Sequence, residues 1–439
     1  MKRPQATTIL LLLAAALLLP ASAMGQATQT FRVQFNFSNP GARSLALGGA
    51  FIGLADDATA AYTNPAGLTN LSRPEVSAEG RRWGYTEIYP SRGHAFGQLV
   101  QGFPGSFDDT EGIVNGQSKD SVNGLAFLSY VYPHKNWSLG FYRQELANFE
   151  ANVQTDGPFF NANVGTMPVI FRFFPTQARA DLKIVNYGLS GAYRLNDRFS
   201  IGLGLSEYDF SLNVRTQAFG FVNNPGPTVP GGILGVPNFS PANLLFTDRQ
   251  KGTGTALSGS LGLLFKVTPN WSLGAVYRQK ARFDTTETIS TSSTVMKSKF
   301  TVPEVYGFGT AFKPTDQLTV TADLNRIRYS QTSRPAPNVR ADDGDEFHYG
   351  LEYVLLKLKY PLSFRLGAWH DPDHQPSYRG LPDDTFAQRG FAVLFPAGQD
   401  YWHYSGGLGF VFGERFQVDA AVDISKLVDT FSLSSVFRF

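Results

Sequence analysis

The sequence predicts an all-β fold: a transmembrane antiparallel β-barrel of about 14 strands. Three observations carry this. Long segments alternate apolar and polar residues with period 2, where a helix would repeat its apolar set every three or four positions. Many of these segments run to roughly nine to fifteen residues, whereas ordinary strands average about five or six and a tilted membrane strand needs about 9–11. The joins alternate strictly between tight and long, as in an outer-membrane barrel with short periplasmic turns and longer extracellular loops.

Residues 1–23 precede the fold. MKRP is a positive n-region, ATTILLLLAAALLLP an apolar core, and Ala21-Ser22-Ala23 a small-residue cleavage site, together a secretory signal peptide rather than an anchor. Removing Lys2 and Arg3 from the 38 basic residues leaves 36, against 36 acidic ones. Nothing in this balance points to nucleic acid, no basic tract interrupts it, and no nucleic-acid partner is expected. The chain has no cysteine, hence no disulfide, thiolate metal site or cysteine nucleophile. Only 17% of residues are charged and 14% are aromatic, against about 25% charged in soluble domains. No later run of 18 apolar residues supplies a transmembrane helix, which leaves a soluble all-β secreted protein, a passenger or fibre, and a transmembrane β-barrel.

Residues 24–73 form an extra segment too short to be a domain, and 74–439 form the barrel. The expected strands are 75–99, 121–132, 136–150, 181–195, 198–216, 252–268, 270–288, 300–313, 316–330, 345–358, 360–371, 400–412, 415–425 and 429–439, the first of them interrupted by Pro90. In FQVDAAVDISK, Phe416, Val418, Ala420, Val422 and Ile424 share the face that meets lipid, opposite Gln417, Asp419 and Asp423. Tight joins fall at 132–137, 195–198, 268–271, 313–317, 359–362 and 412–415; long ones fall at 101–121, 151–180, 217–252, 289–300, 331–344 and 372–399. The last strand carries Phe431, Leu433, Phe437 and Phe439 on one side, suiting a closed wall without a free edge. Trp83, Trp137, Trp271, Tyr401 and Trp402 stand at strand ends, where interfacial girdles belong.

The stretch NPGARSLALGGAFIGLADDATAAYTNPAGL, residues 39–68, resembles the N-terminal motif of the FadL/TodX family of outer-membrane transport proteins. The carrying residues are Gly41, Arg43, Gly48, Gly49, Asp56, Asp57, Asn64, Pro65 and Ala66. VPEVYGFGTAFKPTDQLTVTADLNRIRYS (302–330) and LSFRLGAWHDPDHQP (362–376) are similar to further family strands. The resemblance implies a fourteen-stranded barrel whose N-terminal segment folds inside as a hatch. It also implies capture of long-chain fatty acids or aromatic hydrocarbons by outer loops, and exit through a lateral opening in the wall or past the hatch.

The residues suit a hatch on physical grounds. A wide lumen cannot be filled by wall side chains alone. Gly48, Gly49 and Gly53 permit close backbone approach. Asp56 or Asp57 suits the cap of a short helix, Asn64-Pro65 starts a turn, and Arg43 requires an acidic partner on the lumen face. GARSLALGG lacks the Gly-Lys-Ser/Thr of a phosphate loop. HDPDH (370–374) reads as a polar loop before a metal site, and ADDGDEFH (341–348) as a solvated loop before a cation site bridging lipopolysaccharide.

The expected function is passive transport of hydrophobic compounds across the outer membrane, with a general or polar-solute porin as the alternative. No catalytic residue, metal site or cofactor is expected: there is no G-x-S-x-G, and no nucleotide motif stands out. An adhesion barrel has no motif of its own. Expected partners are hydrophobic small molecules, outer-membrane lipid and lipopolysaccharide, and the barrel-assembly machinery during biogenesis. Aromatic loop residues Phe159, Phe160, Phe219 and Phe221 are the candidates for first substrate capture.

Overall fold

The computed structural model describes residues 39–96, 111–164, 166–222, 235–332, 338–380, 386–413 and 415–439. The signal peptide, residues 24–38 and parts of the expected loops 101–121, 217–252, 331–344 and 372–399 lie outside them. The wall consists of 14 antiparallel strands. They are β1 Glu75–Ala95, β2 Gly112–His134, β3 Trp137–Thr155, β4 Thr176–Arg194, β5 Phe199–Phe219, β6 Leu244–Thr268, β7 Trp271–Arg278 with Ala281–Ile289, and β8 Val295–Val302 with Val305–Phe312. Then come β9 Leu318–Ile327, β10 Gly344–Leu355, β11 Leu362–Asp371, β12 Tyr401–Phe412, β13 Phe416–Ile424 and β14 Val428–Arg438. Each pairs with the next in sequence, and β14 pairs with β1 from Arg438↔Glu75 to Val428↔Tyr85, closing the sheet. Closure leaves no strand edge in hydrocarbon.

Every strand expected from the sequence is present, and the period-2 alternation runs inside out. On β13, Phe416, Val422 and Ile424 are exposed while Gln417, Asp419, Ala421 and Asp423 are buried toward the lumen. Leu203, Leu205, Leu257, Leu366 and Tyr404 likewise face outward. This is the pattern of a wall that meets lipid outside and a filled interior inside.

The strands reach farther at the loop end than the sequence suggested. β2 starts at Gly112 rather than 121, and β6 at Leu244 rather than 252. The stretch 289–300, expected as a long loop, is a tight hairpin turn between Ile289 and Val295. Its sequence, ISTSSTVMKSKF, is mostly Ser, Thr and Lys without period-2 alternation, so nothing in it marks where pairing above the membrane begins. Pro90 does not split β1; it sits at a register shift between Pro90 and Arg92, where a missing N–H is tolerated. The remaining loops build a cap. A hairpin, Phe159–Val164 with Met167–Arg172, packs against helix Phe386–Leu394 through Phe160, Ala162 and Val393.

The β7–β8 hairpin is clasped to β6 near its tip by the pairs Asp248↔Ile289 to Lys251↔Thr286. The outward residues of this clasp, Arg249, Lys251, Thr286 and Thr288, are polar and exposed, which places it outside the membrane-spanning part of the strand. Burial drives the Asp248 carboxyl up to about 7; burial and the neighbouring Asp248 drive Glu287 up to about 8. A carboxyl raised in the folded state stabilises it below the unfolded value near 4 and loses that contribution as pH rises through the folded value. Amide exchange across 281–302 should therefore be slow at pH 5 and faster at pH 9, and Glu287→Gln should flatten the dependence. Equal pH dependence in both proteins would refute the shared-proton clasp.

Candidate functional site

From Asn39 to Leu71 the chain lies inside the barrel and is buried almost throughout. Small residues make this possible. They form two short helices, α1 Ala42–Ala46 and α2 Ala60–Thr63, followed by a 3-10 turn at Pro65–Asn70. Gly48 has φ +65°, and a Cβ there would stand 2.7 Å from the Tyr349 carbonyl oxygen. A Cβ on Gly53 would stand 2.6 Å from Thr310 Cα. At both points only a residue without a side chain lets the segment touch the wall.

Polar ties run to strands all round the barrel. Phe51 and Ile52 donate their N–H groups to Asp323 of β9 at 2.7 and 2.8 Å. Gly48 O lies 2.6 Å from His348 Nδ1 of β10, and Gly48 N donates to Ser405 of β12. Asn64 Nδ2 donates to Ile52 O and to Leu263 O of β6, both at 3.0 Å, while its Oδ1 accepts from Ala66 N and caps the 3-10 turn. Ser190, Ser272 and Ser129 donate to Ala61 O, Gly53 O and Ala58 O. Gly41 N donates to Glu79 of β1, which also pairs with Arg81.

Arg43 is the centre of a chain of charges. Its Nη1 lies 2.6 Å from Asp56 Oδ1, and its Nε 2.9 Å from Glu352 Oε2 on β10. Glu352 also meets Arg365 at 2.5 Å, and Arg365 meets Asp419 at 2.7 Å. Gln417 then links Asp419 to Arg438, and Arg438 pairs with Glu75, whose other oxygen accepts from Ala58 N. Burial pushes the Asp56 carboxyl up, but Arg43 and Lys313 outweigh it and hold it below the ordinary carboxylate range. Burial pushes Asp57 up, and there it prevails. Asp57 accepts from the Thr59 N–H and hydroxyl ahead of α2, an Asx turn rather than a helix cap, since Thr59 is the cap residue.

Beyond this segment, toward the loop end, the lumen turns apolar. Trp83, Tyr85, Phe149, Phe210, Phe283 and Phe300 belong to one buried cluster drawn from several strands. Farther out, a cavity of about 380 Å³ opens under the cap, lined by Ile88, Pro90, Ile113, Val393, Leu427 and Lys426.

The four candidate capture residues do not form an exposed surface, and this corrects the expectation. Phe159, Phe160 and Phe219 are buried, and Phe221 is half-buried. Phe160 stacks on Phe171 and Phe173, and Phe219 meets Phe239. The Arg172 guanidinium lies over both Phe159 and Phe221, at 4.6 and 4.4 Å from the ring centres. Rings left in water would forgo about 25 cal/mol per Å² of apolar surface, so they bury against each other and against a flat cation. The acidic run 341–348 is not a free cation site either: Asp342, Asp343 and Asp345 pair with Arg379, Arg328 and Arg326. In HDPDH, His374 stacks on Tyr329 and lies 3.3 Å from Asp371, and His370 faces Asp400. Among the described residues no group of His, Asp and Glu is arranged to hold a metal ion.

Glu352, Arg365, Asp419 and Asp323 were not singled out by sequence. The alternation places them on the lumen face, and only the register brings them to Arg43 and Phe51.

A closed antiparallel wall with an apolar belt and a segment tied inside defines an outer-membrane β-barrel. Residues 176–334 match the family described as outer membrane protein transport protein (OMPP1/FadL/TodX). A long-chain fatty acid transport protein of Escherichia coli O6:H1 is 24% identical over 250 residues, covering 55% of this chain and 49% of that protein. The chain thus matches about half the length of this curated relative. A Pseudomonas aeruginosa FadL homologue superposes with TM-score 0.62 at 15% identity, over 93% of this chain and 99% of that one. The Ralstonia pickettii toluene transporter TbuX superposes at 0.57 with 16% identity, over 92% and 99%. These matches agree with the resemblance of the motif at 39–68 to the FadL/TodX family, and the solved structures share the fold of this chain.

Breaking the shared carboxylate tests the charge chain. Glu352→Gln takes one carboxylate from Arg43, which keeps Asp56, and from Arg365, which keeps Asp419, and should cost about 1–3 kcal/mol of stability in denaturant unfolding of the detergent-folded barrel. Arg43→Gln combined with Glu352→Gln should cost clearly less than the two single changes added. Additive costs would mean that the two groups do not interact.

Proposed function

We propose that the protein carries hydrophobic compounds, long-chain fatty acids or aromatic hydrocarbons, passively across the outer membrane, with residues 24–73 as the hatch. The observation that carries this reading is the apolar cluster lining the lumen beyond the inner segment. A polar-solute porin needs a water-lined constriction, whereas an apolar solute here sheds water at roughly 25 cal/mol per Å² buried. The names of the similar proteins, a long-chain fatty acid transport protein and a toluene transporter, support the same class of cargo.

In this reading the cavity beneath the cap captures substrate. Its apolar residues, Ile88, Ile113, Val393 and Leu427, take a chain or ring beside a polar edge that carries both Lys426 and Glu87. Phe160, packed on Val393, supports the cavity from behind instead of contacting substrate first. From there the molecule moves along the aromatic cluster to the hatch. Release follows either a shift of the hatch or a gap in the wall, and the concentration gradient sets direction. No catalytic role is assigned to any residue. The exposed apolar belt faces lipid and lipopolysaccharide, and assembly relies on the barrel-assembly machinery.

Cells lacking the protein should take up labelled oleate or toluene several-fold more slowly, at unchanged maltose uptake, and the plasmid-borne gene should restore the rate. Unchanged oleate and toluene uptake together with slowed maltose uptake would favour the porin.

A further inference from the structure

Above the membrane, the outer face of β4 to β8 carries a charge pattern that transport does not use. Register sets Arg179 of β4 directly opposite Arg215 of β5, and Arg215 directly opposite Arg249 of β6. Three guanidinium groups thus stand side by side on neighbouring strands, all exposed and turned away from the lumen. One row nearer the membrane, the exposed Lys251 of β6 and Lys297 of β8 flank Thr286 of β7.

Like charges directly opposite one another destabilise a sheet. Arg179 has carboxylates beside it, Asp181 at 3.3 Å and Glu150 at 3.7 Å. Among the described residues, Arg215, Arg249, Lys251 and Lys297 make no ion pair. The result is a positive patch spread over several strands, and a multivalent anion lying across it would convert cross-strand repulsion into a bridge. Arginine suits phosphate in this role, because its planar fork meets two phosphate oxygens at once.

Height selects the source of the phosphate. On β4 and β6, Tyr187 and Leu257 are exposed at the apolar edge, in one row through Glu207 of β5. The arginine row stands roughly eight residues above them, or ~20 Å at about 3.4 Å per residue and a tilt near 40°. Phospholipid headgroups reach only about 5–8 Å beyond the hydrocarbon, so the row faces the saccharide layer of the outer leaflet. Lower down, the exposed Glu207 and Asp209 would repel phosphates held at the apolar edge.

The same strands offer a seat for an acyl chain. An outward groove of about 510 Å³ runs between Leu189, Leu203, Leu205 and Leu261, and Gly191 and Gly259 leave its floor without side chains. One molecule that spans both the saccharide and the acyl layers reaches both features.

We propose that the outer face of β4–β6 binds lipopolysaccharide, with phosphates of its core sugars lying across Arg215 and Arg249 and an acyl chain of the same molecule in the groove below. Arg179 and Lys251 border the phosphates. Binding fastens β4, β5 and β6 to one another where they rise above the membrane. The site goes beyond the transport reading and depends only on the barrel's place in the outer membrane.

The full mature barrel, folded in detergent, is titrated with rough lipopolysaccharide bearing core phosphate, and binding is read by native mass spectrometry. Parallel titrations use the same lipopolysaccharide without core phosphate, lipid A alone, and inorganic triphosphate. Wild type should bind the phosphorylated core about tenfold or more tightly than the core without phosphate. Arg215→Gln with Arg249→Gln should weaken that binding about tenfold and leave lipid A binding unchanged. Arg215→Lys with Arg249→Lys should bind more tightly than the glutamine pair. Lys357→Gln with Lys359→Gln removes as much charge at an exposed turn between β10 and β11 and should change nothing. Without lipid, the glutamine pair should unfold at the same or a higher denaturant concentration than wild type, since it relieves repulsion. Should the pair not fold, Arg249→Gln alone is read in its place. A glutamine variant that binds like wild type, equal binding with and without core phosphate, or an equal loss in the Lys357/Lys359 variant would overturn the site. Triphosphate bound as tightly as lipopolysaccharide would assign the patch to a soluble polyanion and overturn it too. Wild type that binds lipopolysaccharide here yet supports no oleate or toluene uptake in cells would sink the transport reading and leave the site standing.

Discussion

A guanidinium largely withdrawn from water inside a barrel must be paired, and the placing of Arg43 between Asp56 and Glu352 is the constraint around which the lumen is organised. Glu352 cannot serve Arg43 alone, because Arg365 reaches the same carboxylate, and Asp419, Gln417, Arg438 and Glu75 extend the chain to the seam where β14 meets β1. A single link fixes the rotation of the inner segment only loosely. A chain of charge-assisted contacts crossing β10, β11, β13, β14 and β1 fixes it to one register.

From this follow the two environments of the lumen. Near the turn end, backbone N–H and C=O groups of a glycine- and alanine-rich segment find partners on opposing strands, and Gly48 and Gly53 bring backbone against backbone. Toward the loop end, the inward faces of the same strands carry aromatic and aliphatic side chains that pack on one another. Water-soluble solutes meet a filled, hydrogen-bonded floor, and apolar solutes meet a surface on which they lose little by leaving lipid. The cap follows the same logic, since its phenylalanines surround Arg172 and Val393 instead of facing solvent.

Fold class was legible in the sequence because a membrane wall imposes period 2 on every strand, as on Phe416–Ile424, and sorts connections by side. Strand ends were less legible. Above the membrane both faces are polar, so runs such as GQSKDS (116–121) and the Ser/Thr-rich stretch at 289–300 carry no inside-out contrast. The inner segment's motif showed which residues matter but not their partners. Alternation assigns Glu352, Arg365, Asp419 and Asp323 to the inner face, while register and closure, which are non-local, decide what lies opposite. Phe159 and Phe160 misled because an aromatic pair in a loop reads the same whether it waits for a ligand or packs a cap.

If the Arg43-centred pairing holds the inner segment in the lumen, the barrel should be closed to ions. The most direct measurement is the single-channel current of the purified mature protein in planar bilayers, for wild type and Arg43→Gln. Wild type should give no stepwise conductance, and Arg43→Gln should give discrete openings. Porin-like steps in wild type, or an Arg43→Gln barrel as silent as wild type, would contradict it.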